Sequence, residues 1–228
     1  MTNKKTTYSR PAIKKTLVVS SDTAIKAAQQ YLKTTLSSIY ALDVILYYIS
    51  DEATSEAANK HVADIFEEKI AEFTKQINKY QKIVEENDLS DIVYTQNHSE
   101  EYLIYSPLCT QYLQLIKKFD LLTNLIDQLW LNAYMDSKRR NKEVLKLKRH
   151  LLNVSRQVIN ASRNAMRLAK LEGKEDQISE TVSSIGLDKE TAKDVLDTSK
   201  PNEVIENNAD IELDDTEQEE KVLSKKTA

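Results

Sequence analysis

The feature that most constrains this fold is a run of apolar residues, spaced by three and four, between residues 137 and 174. Such spacing places the apolar side chains on one side of an α-helix, which must pack against other helices to be buried. The seam consists of Val144, Leu147, Leu151, Val154, Val158, Ala161, Ala165 and Leu168, and it is widened by Leu145, Leu152, Ile159 and Met166. The sequence therefore predicts one long helix within a helical bundle.

The opposite side of the same helix is cationic. Residues 137–174 contain twelve Lys and Arg against two acidic residues, a net charge of +10, and a basic residue recurs at every seventh position from Lys142 to Lys170. Solvated helices usually mix both signs through i,i+4 pairs, so this one-sided charge indicates an anionic partner. The predicted phosphate contacts on this helix are Lys138, Arg139, Arg140, Lys142, Arg149, Arg156 and Arg163.

The low glycine and proline content extends the helical prediction to the rest of the chain. Only two Gly and three Pro occur among 228 residues, too few turn residues for an all-β protein. A hydrophobic content of 40% suffices for one substantial core. The predicted fold is mainly α, an antiparallel bundle of long helices with a short N-terminal strand, one β-hairpin and a disordered acidic C-terminal tail.

The uneven distribution of charge predicts three parts of the chain. Residues 1–174 carry a net charge of +6, whereas residues 175–228 carry −10. We expect a mobile basic arm at residues 1–12, a single helical domain at residues 13–174 and an acidic disordered tail at residues 175–228. Because the tail and the cationic helix have opposite charges, we expect the tail to compete with nucleic acid for that helix.

Other segments have a clear helical or strand pattern. Apolar seams at residues 55–86 and 107–133 predict two more long helices, and residues 91–95 and 102–105 predict a hairpin around a polar turn. Residues 22–50 keep a seven-residue apolar repeat that fits one long helix. Because residues 34–38 are poor in helix formers, two shorter helices at 22–33 and 37–50 fit as well. The predicted helix caps are Ser21 or Asp22, Thr54 or Ser55, Ser106, and Asp136 or Ser137.

The two-helix alternative, preceded by a strand at residues 14–20, resembles the ribbon-helix-helix DNA-binding unit across residues 13–50. In that unit the strands of two chains pair into a ribbon, and the ribbon enters the major groove. Lys14 and Thr16 share one face of the strand. The resemblance implies that they contact base edges, and that Ser37 and Ser38 lie near phosphate at the start of the second helix.

A wider resemblance covers residues 14–170. One helix opens on Phe119-Asp120, a polar break at Asp136 follows an apolar stretch that includes Trp130, and the next helix carries paired basic residues. This order, behind an N-terminal strand and helix, is similar to that of the AcaB-like regulators found on conjugative plasmids and integrating conjugative elements. The resemblance implies a homodimeric transcriptional regulator that binds double-stranded DNA and uses a ribbon-helix-helix-like front end.

Catalytic motifs are absent from the sequence. It contains no phosphate-binding loop, no metal-ligand cluster and no nucleophile–base set at a recognisable spacing, so we expect no enzymatic activity, no cofactor and no metal. Cys109, the single cysteine, is predicted to be a buried apolar residue. The polar first residues and the lack of a long apolar run predict a cytoplasmic protein that does not contact a membrane.

Two functions agree with these observations. The first is a sequence-specific DNA-binding transcriptional regulator of a mobile genetic element, acting as a dimer. The second is a non-catalytic helical scaffold or adaptor whose basic side binds an acidic protein partner. RNA is a further anionic partner, because a basic helix does not distinguish the two nucleic acids.

Overall fold

The computed structural model describes residues 11–184, except for the side chains of Tyr48 and residues 181–184. Most of the predicted N-terminal arm and residues 185–228 of the predicted tail lie outside this range. The described elements are β1 (Ile13–Val19), α1 (residues 22–49), α2 (Glu52–Glu86), β2 (His98–Ile104), α3 (Pro107–Leu131), α4 (Ser137–Leu171) and α5 (Glu175–Ser184). The mainly helical fold with one two-stranded antiparallel sheet is confirmed.

Helix α1 is continuous, which decides against the alternative of two shorter helices separated by a turn at residues 34–36. Its backbone stays helical throughout, with π-helical segments at Ala28–Leu32 and Ala41–Ile45. The hydroxyls of Ser37 and Ser38 donate to carbonyl oxygens four residues earlier, at 3.0 and 2.9 Å. These bonds satisfy the hydroxyls inside the helix, and burial of its apolar side outweighs the weak local helix propensity. The one-helix alternative is therefore correct, and no helix begins at Ser37.

The sheet joins β1 to β2, which corrects the predicted hairpin. The strands run antiparallel, with Ile13 opposite Ile104 and Val19 opposite His98. Residues 91–95 belong to neither strand. Because β1 finds its partner 79 to 91 residues away in the same chain, and because α1 is unbroken, the ribbon-helix-helix resemblance of residues 13–50 is also corrected.

Helix α3 forms the centre of the bundle. Its buried residues, from Leu108 to Leu129, cover most of its circumference and leave one exposed stripe that includes Gln114, Lys117 and Leu121. The rings of Tyr112 and Phe119 contact Phe66 and Phe73 of α2, with centroids 5.7 and 6.4 Å apart. Since apolar surface removed from water is the main source of folding free energy, the other elements are positioned by covering α3.

Asp120 connects the β1–α1 junction to this central helix. Its carboxylate accepts hydrogen bonds from the backbone N–H groups of Ser20 and Ser21, at 3.0 and 2.9 Å, and from the Ser21 hydroxyl at 2.7 Å. The Ser21 hydroxyl in turn accepts from the N–H of Ala24 and caps α1. Asp120 is 7% exposed, so a buried charge is satisfied by three donors that fix where α1 begins.

The segment after α4 is helical, which corrects the predicted start of the disordered tail at residue 175. Gly173 has a φ of +77°, a left-handed conformation that ends α4 at low steric cost. Helix α5 follows, and its Ile178 is 1% exposed against the bundle. Burial of that side chain offsets part of the entropy lost when these residues become ordered.

Replacing Asp120 with alanine should lower the free energy of unfolding by about 3 kcal/mol, because buried N–H groups at the β1–α1 junction lose their acceptor. The matched control is Asp136→Ala. Asp136 is exposed and caps α4 through one bond to the N–H of Arg139, so its removal should cost about 1 kcal/mol. Urea denaturation followed by circular dichroism measures both. Equal decreases would contradict the anchoring role of Asp120.

Candidate nucleic-acid interface

Helix α4 has a buried side and a basic side along its length. It begins after Asp136, whose carboxylate accepts from the N–H of Arg139 at 2.9 Å. The buried side faces α1 and α3 and consists of Leu147, Leu151, Leu152, Val154, Ser155, Val158, Ile159, Ser162, Met166 and Ala169. Because this side is fixed by packing, the direction in which the basic residues point is fixed too.

The N-terminal half of the exposed side is a cluster that we call the basic face. It consists of Lys138, Arg139, Lys142, Lys146 and Arg149, all of them exposed. At 1.5 Å per residue these five cations span roughly 16 Å along the helix axis. Four of the predicted phosphate contacts therefore lie together on one surface, where anionic groups can reach them.

Helix α2 shows what an ordinary solvated side looks like in the same protein. Both α2 and α4 are 35 residues long. Helix α2 carries eight acidic and five basic residues, whereas α4 carries one acidic and eleven basic residues. Pairs of opposite charge such as Lys82 and Glu86, 3.5 Å apart, neutralise α2 locally. Compared with α2, α4 therefore concentrates positive charge.

Arg140 differs from the other predicted phosphate contacts because it points into the protein. Its Nε donates to Oδ1 of Asp127 at 2.7 Å, and its guanidinium lies 4.8 Å from the centre of the Trp130 ring. Asp127 also accepts from the hydroxyl of Tyr94 at 2.8 Å. Arg140 therefore joins α4 to α3 and is not placed to bind phosphate.

The C-terminal half of α4 departs from the predicted heptad seam. Leu168, predicted in the seam, is 55% exposed, while Arg156 and Arg163 are only partly exposed. Seven residues of a straight α-helix fall about 20° short of two full turns, so positions seven apart rotate steadily around the helix. Arg156 and Arg163 are thereby carried from the exposed side toward the edge of the bundle.

The structure separates the residues that the ribbon-helix-helix resemblance had grouped. Lys14 and Thr16 are exposed on the outer face of the sheet, opposite Leu103 and Glu101 of β2. A carboxylate beside Thr16 makes this face less favourable for phosphate than the basic face. Ser37 is buried and Ser38 is bonded within α1, so neither lies at the start of a helix, and their predicted role as phosphate contacts is corrected.

The side chains of Tyr94, Tyr105 and Tyr112 contact other side chains of the protein and do not form an exposed surface on which bases could stack. Tyr112 is fully buried, and its hydroxyl lies 2.7 Å from the hydroxyl of Ser155. Burial, together with the hydrogen bond to Asp127, raises the pKa of Tyr94. The ring of Tyr105 meets the edge of Tyr40 at 5.5 Å. These contacts are structural.

Cys109 is buried, as predicted, and burial raises the pKa of its thiol to about 12. The thiol is therefore protonated near neutral pH and is a poor nucleophile there.

Residues 11–184 bring no three His, Cys, Asp or Glu side chains together as a metal site. Over the same residues, every helix is too short or too polar to cross a bilayer.

A set of amides on α4 was not predicted from the sequence. Exposed side chains of this kind follow the basic face along the helix: Asn153, Gln157, Asn160 and Asn164. Their signal in the sequence is an amide at successive steps of four, three and four residues, which places all four on one side of a helix. The stronger pattern of basic residues obscured it.

The crystal structure of selenomethionine-containing AcaB from uropathogenic E. coli superimposes on this structure with a TM-score of 0.72. The two chains are 26% identical, and the match covers 84% of this chain and all of the AcaB chain. The chain has an AcaB-like fold. Comparisons with family models and with curated protein sequences found no match.

The similarity to AcaB extends over the whole of that protein, so it is not limited to one helical hairpin. A match of this coverage includes most of the five-helix bundle. It supports the AcaB-like resemblance read from the sequence at the level of the fold, and it gives no support to the ribbon-helix-helix front end.

Replacing Arg140 with alanine should lower the free energy of unfolding by about 2 kcal/mol, because the side chain of Asp127 is only 10% exposed and would lose its cationic partner. The matched control is Lys142→Ala on the same helix, where the side chain is exposed and the change should stay within about 0.5 kcal/mol. Urea denaturation measures both. A decrease for Lys142→Ala as large as that for Arg140→Ala would contradict the distinction between the two cations.

Proposed function

We propose that this protein is a DNA-binding transcriptional regulator of a conjugative element, and that its basic face binds the phosphates of double-stranded DNA. It binds and does not catalyse, and it acts in the cytoplasm, where such DNA lies. The observation that carries the proposal is the one-sided charge of α4, eleven basic residues against one acidic residue beside an α2 of mixed charge. The AcaB-like fold supports the regulatory part of the proposal.

The dimensions of the basic face agree with those of a duplex. DNA carries one negative charge per about 1.7 Å of its axis, so a face roughly 16 Å long meets several phosphates at once. Each phosphate that is neutralised releases a counterion, which makes binding strongly dependent on salt. Such contacts fix position and affinity, but they carry no sequence information.

A Lys142→Glu/Arg149→Glu variant should bind duplex DNA at least about tenfold more weakly, because two cations of the basic face are reversed. Across about 50 to 200 mM salt, the slope of log affinity against log salt should also fall by about 2, since each phosphate bound by a cation adds about 0.9 to that slope. The matched control is Lys60→Glu/Lys75→Glu, which makes the same change of charge at exposed positions of α2. Fluorescence anisotropy with a labelled duplex measures both.

Three results would decide against the basic face. The wild-type protein would bind no duplex at the lowest salt, the two double variants would lose affinity equally, or the slope would be unchanged. A duplex of RNA with the same length belongs in the same titration. If the protein binds the RNA duplex more tightly than the DNA duplex, RNA is the partner instead of DNA. If it binds neither duplex but binds an acidic protein tightly and in a salt-dependent way, the scaffold alternative is favoured.

We also propose that the protein acts as a dimer, and the outer face of the sheet supports this. Val18 and Leu103 are 50% and 53% exposed on this face. Among the described residues the sheet has two strands, so each strand keeps one edge without a strand partner. Exposed apolar side chains beside an open edge favour association between two copies.

A Val18→Lys/Leu103→Lys variant should dissociate into monomers, because it places charge in the proposed contact between copies. The matched control is Leu131→Lys/Leu171→Lys, which changes two leucines that are also exposed, at 61% and 74%, but lie at the ends of α3 and α4. Analytical ultracentrifugation over a range of concentrations gives the mass. A monomeric wild-type protein, or dissociation of the control alone, would exclude dimerisation through the sheet.

A further inference from the structure

The exposed side of α4 changes in chemical character along the helix. The N-terminal half exposes three lysines and two arginines, the residues of the basic face. Beyond Arg149 no lysine occurs on α4 before Lys170, and amides alternate with arginines. The exposed polar residues of this second half, which we call the amide face, are Asn153, Gln157, Asn160, Asn164 and Arg167.

The length and width of the amide face are those of a helical surface that could contact a few base pairs. At 3.6 residues per turn, the four amides fall within an arc of about 60°, and they rise over roughly 16 Å. Base pairs stack at about 3.4 Å, so this length corresponds to about five base pairs. An α-helix with its side chains fits the major groove, which is about 12 Å wide.

The chemistry of the amide face also differs from that of a phosphate-binding surface. A lysine ammonium binds phosphate as a point charge, whereas an amide offers a donor and an acceptor side by side. This pair matches the N6 and N7 positions of adenine, and the arginine guanidinium matches O6 and N7 of guanine. Asn153 and Gln157 therefore carry groups that can distinguish bases, next to Arg149 of the basic face.

Helix stability gives no reason for asparagine at these positions. Asparagine is among the weaker helix formers, and an exposed asparagine side chain gains no stabilisation from packing. Asn153 and Asn164 are exposed in the interior of a 35-residue helix, where Ala, Glu or Lys would favour the helix more. On α2, Asn59 bonds to Asp43 at 2.9 Å and Gln76 lies 3.4 Å from Glu72, and Asn78 is the one exposed amide among residues 52–86, so α2 has no comparable row.

We infer that the amide face of α4 enters the major groove and reads base edges, while the basic face holds the neighbouring phosphates. The ligand class is B-form duplex DNA with adenine and guanine at the contacted positions. This inference rests on the proposed function and adds sequence specificity to it. In this inference Lys14 and Thr16 do not read the bases, because the carboxylate of Glu101 lies opposite Thr16 on the same face of the sheet.

The experiment uses the full chain and a library of DNA duplexes with a randomised central segment. Repeated selection gives the sequence that the wild-type protein prefers, and fluorescence anisotropy then gives its affinity for that duplex and for a scrambled one. The ratio of the two affinities is the specificity. The test variant is Asn153→Ala/Gln157→Ala/Asn164→Ala, and Asn160 is left in place because it makes a polar contact within the protein.

The test variant should bind the scrambled duplex as the wild-type protein does, with the same salt slope. Its specificity ratio should fall about tenfold or more, because each bidentate pairing of a side chain with a base discriminates by at least severalfold. Alanine favours the helix, so the thermal unfolding temperature should not fall, and a drop would reveal misfolding instead. The matched control is Asn78→Ala/Gln114→Ala, which removes exposed amides from α2 and α3 and should leave the ratio unchanged.

A Lys14→Ala/Thr16→Ala variant tests the competing position for base reading. If this variant loses specificity while the test variant keeps it, the sheet reads the bases and the inference is overturned. A wild-type protein that selects no preferred sequence but binds all duplexes overturns the inference and leaves the proposed DNA binding intact. A wild-type protein that binds no duplex removes the proposed function itself, so the two failures are distinguishable.

Discussion

Burial of α3 over most of its circumference is the constraint on which the remaining structure depends. Two acidic residues of this helix, Asp120 and Asp127, are buried, and a buried charge must be paired or hydrogen-bonded. Asp120 meets this need with donors from the β1–α1 junction, and Asp127 meets it with Arg140 and Tyr94. The central helix therefore fixes the starts of both α1 and α4.

The position of α4 follows from that arrangement and determines which of its cations can act. Packing against α1 and α3 leaves one side of α4 in solvent, and five cations of its first half lie there. One arginine of the same helix is used internally, and two more are turned toward the edge of the bundle. Where the exposed lysines give way to amides, the surface changes from one suited to a charged backbone to one suited to base edges.

Much of the fold could be read from the sequence because helices and their caps are local. The period of apolar residues indicated all the long helices, and the predicted caps Ser21, Ser106 and Asp136 each accept a backbone hydrogen bond. The cap of α2 was predicted wrongly, because Asp51 caps that helix instead of Thr54 or Ser55. The other errors fell where the deciding contact is distant. The partner of β1 is 79 to 91 residues away. The choice between one helix and two at residues 22–50, which the sequence left open, was decided by burial of the apolar side of α1.

By itself, the sequence determined that the chain is helical, that α4 has an apolar side and a basic side, and that its charge is one-sided. These properties depend on spacing and composition, which act within a few turns of one helix. Only the tertiary structure decided that β1 pairs with β2, that Arg140 binds Asp127, and that the amides of α4 are exposed in a row. These outcomes depend on which surfaces meet when the helices pack, and a seven-residue pattern does not follow the rotation of a straight helix over its full length.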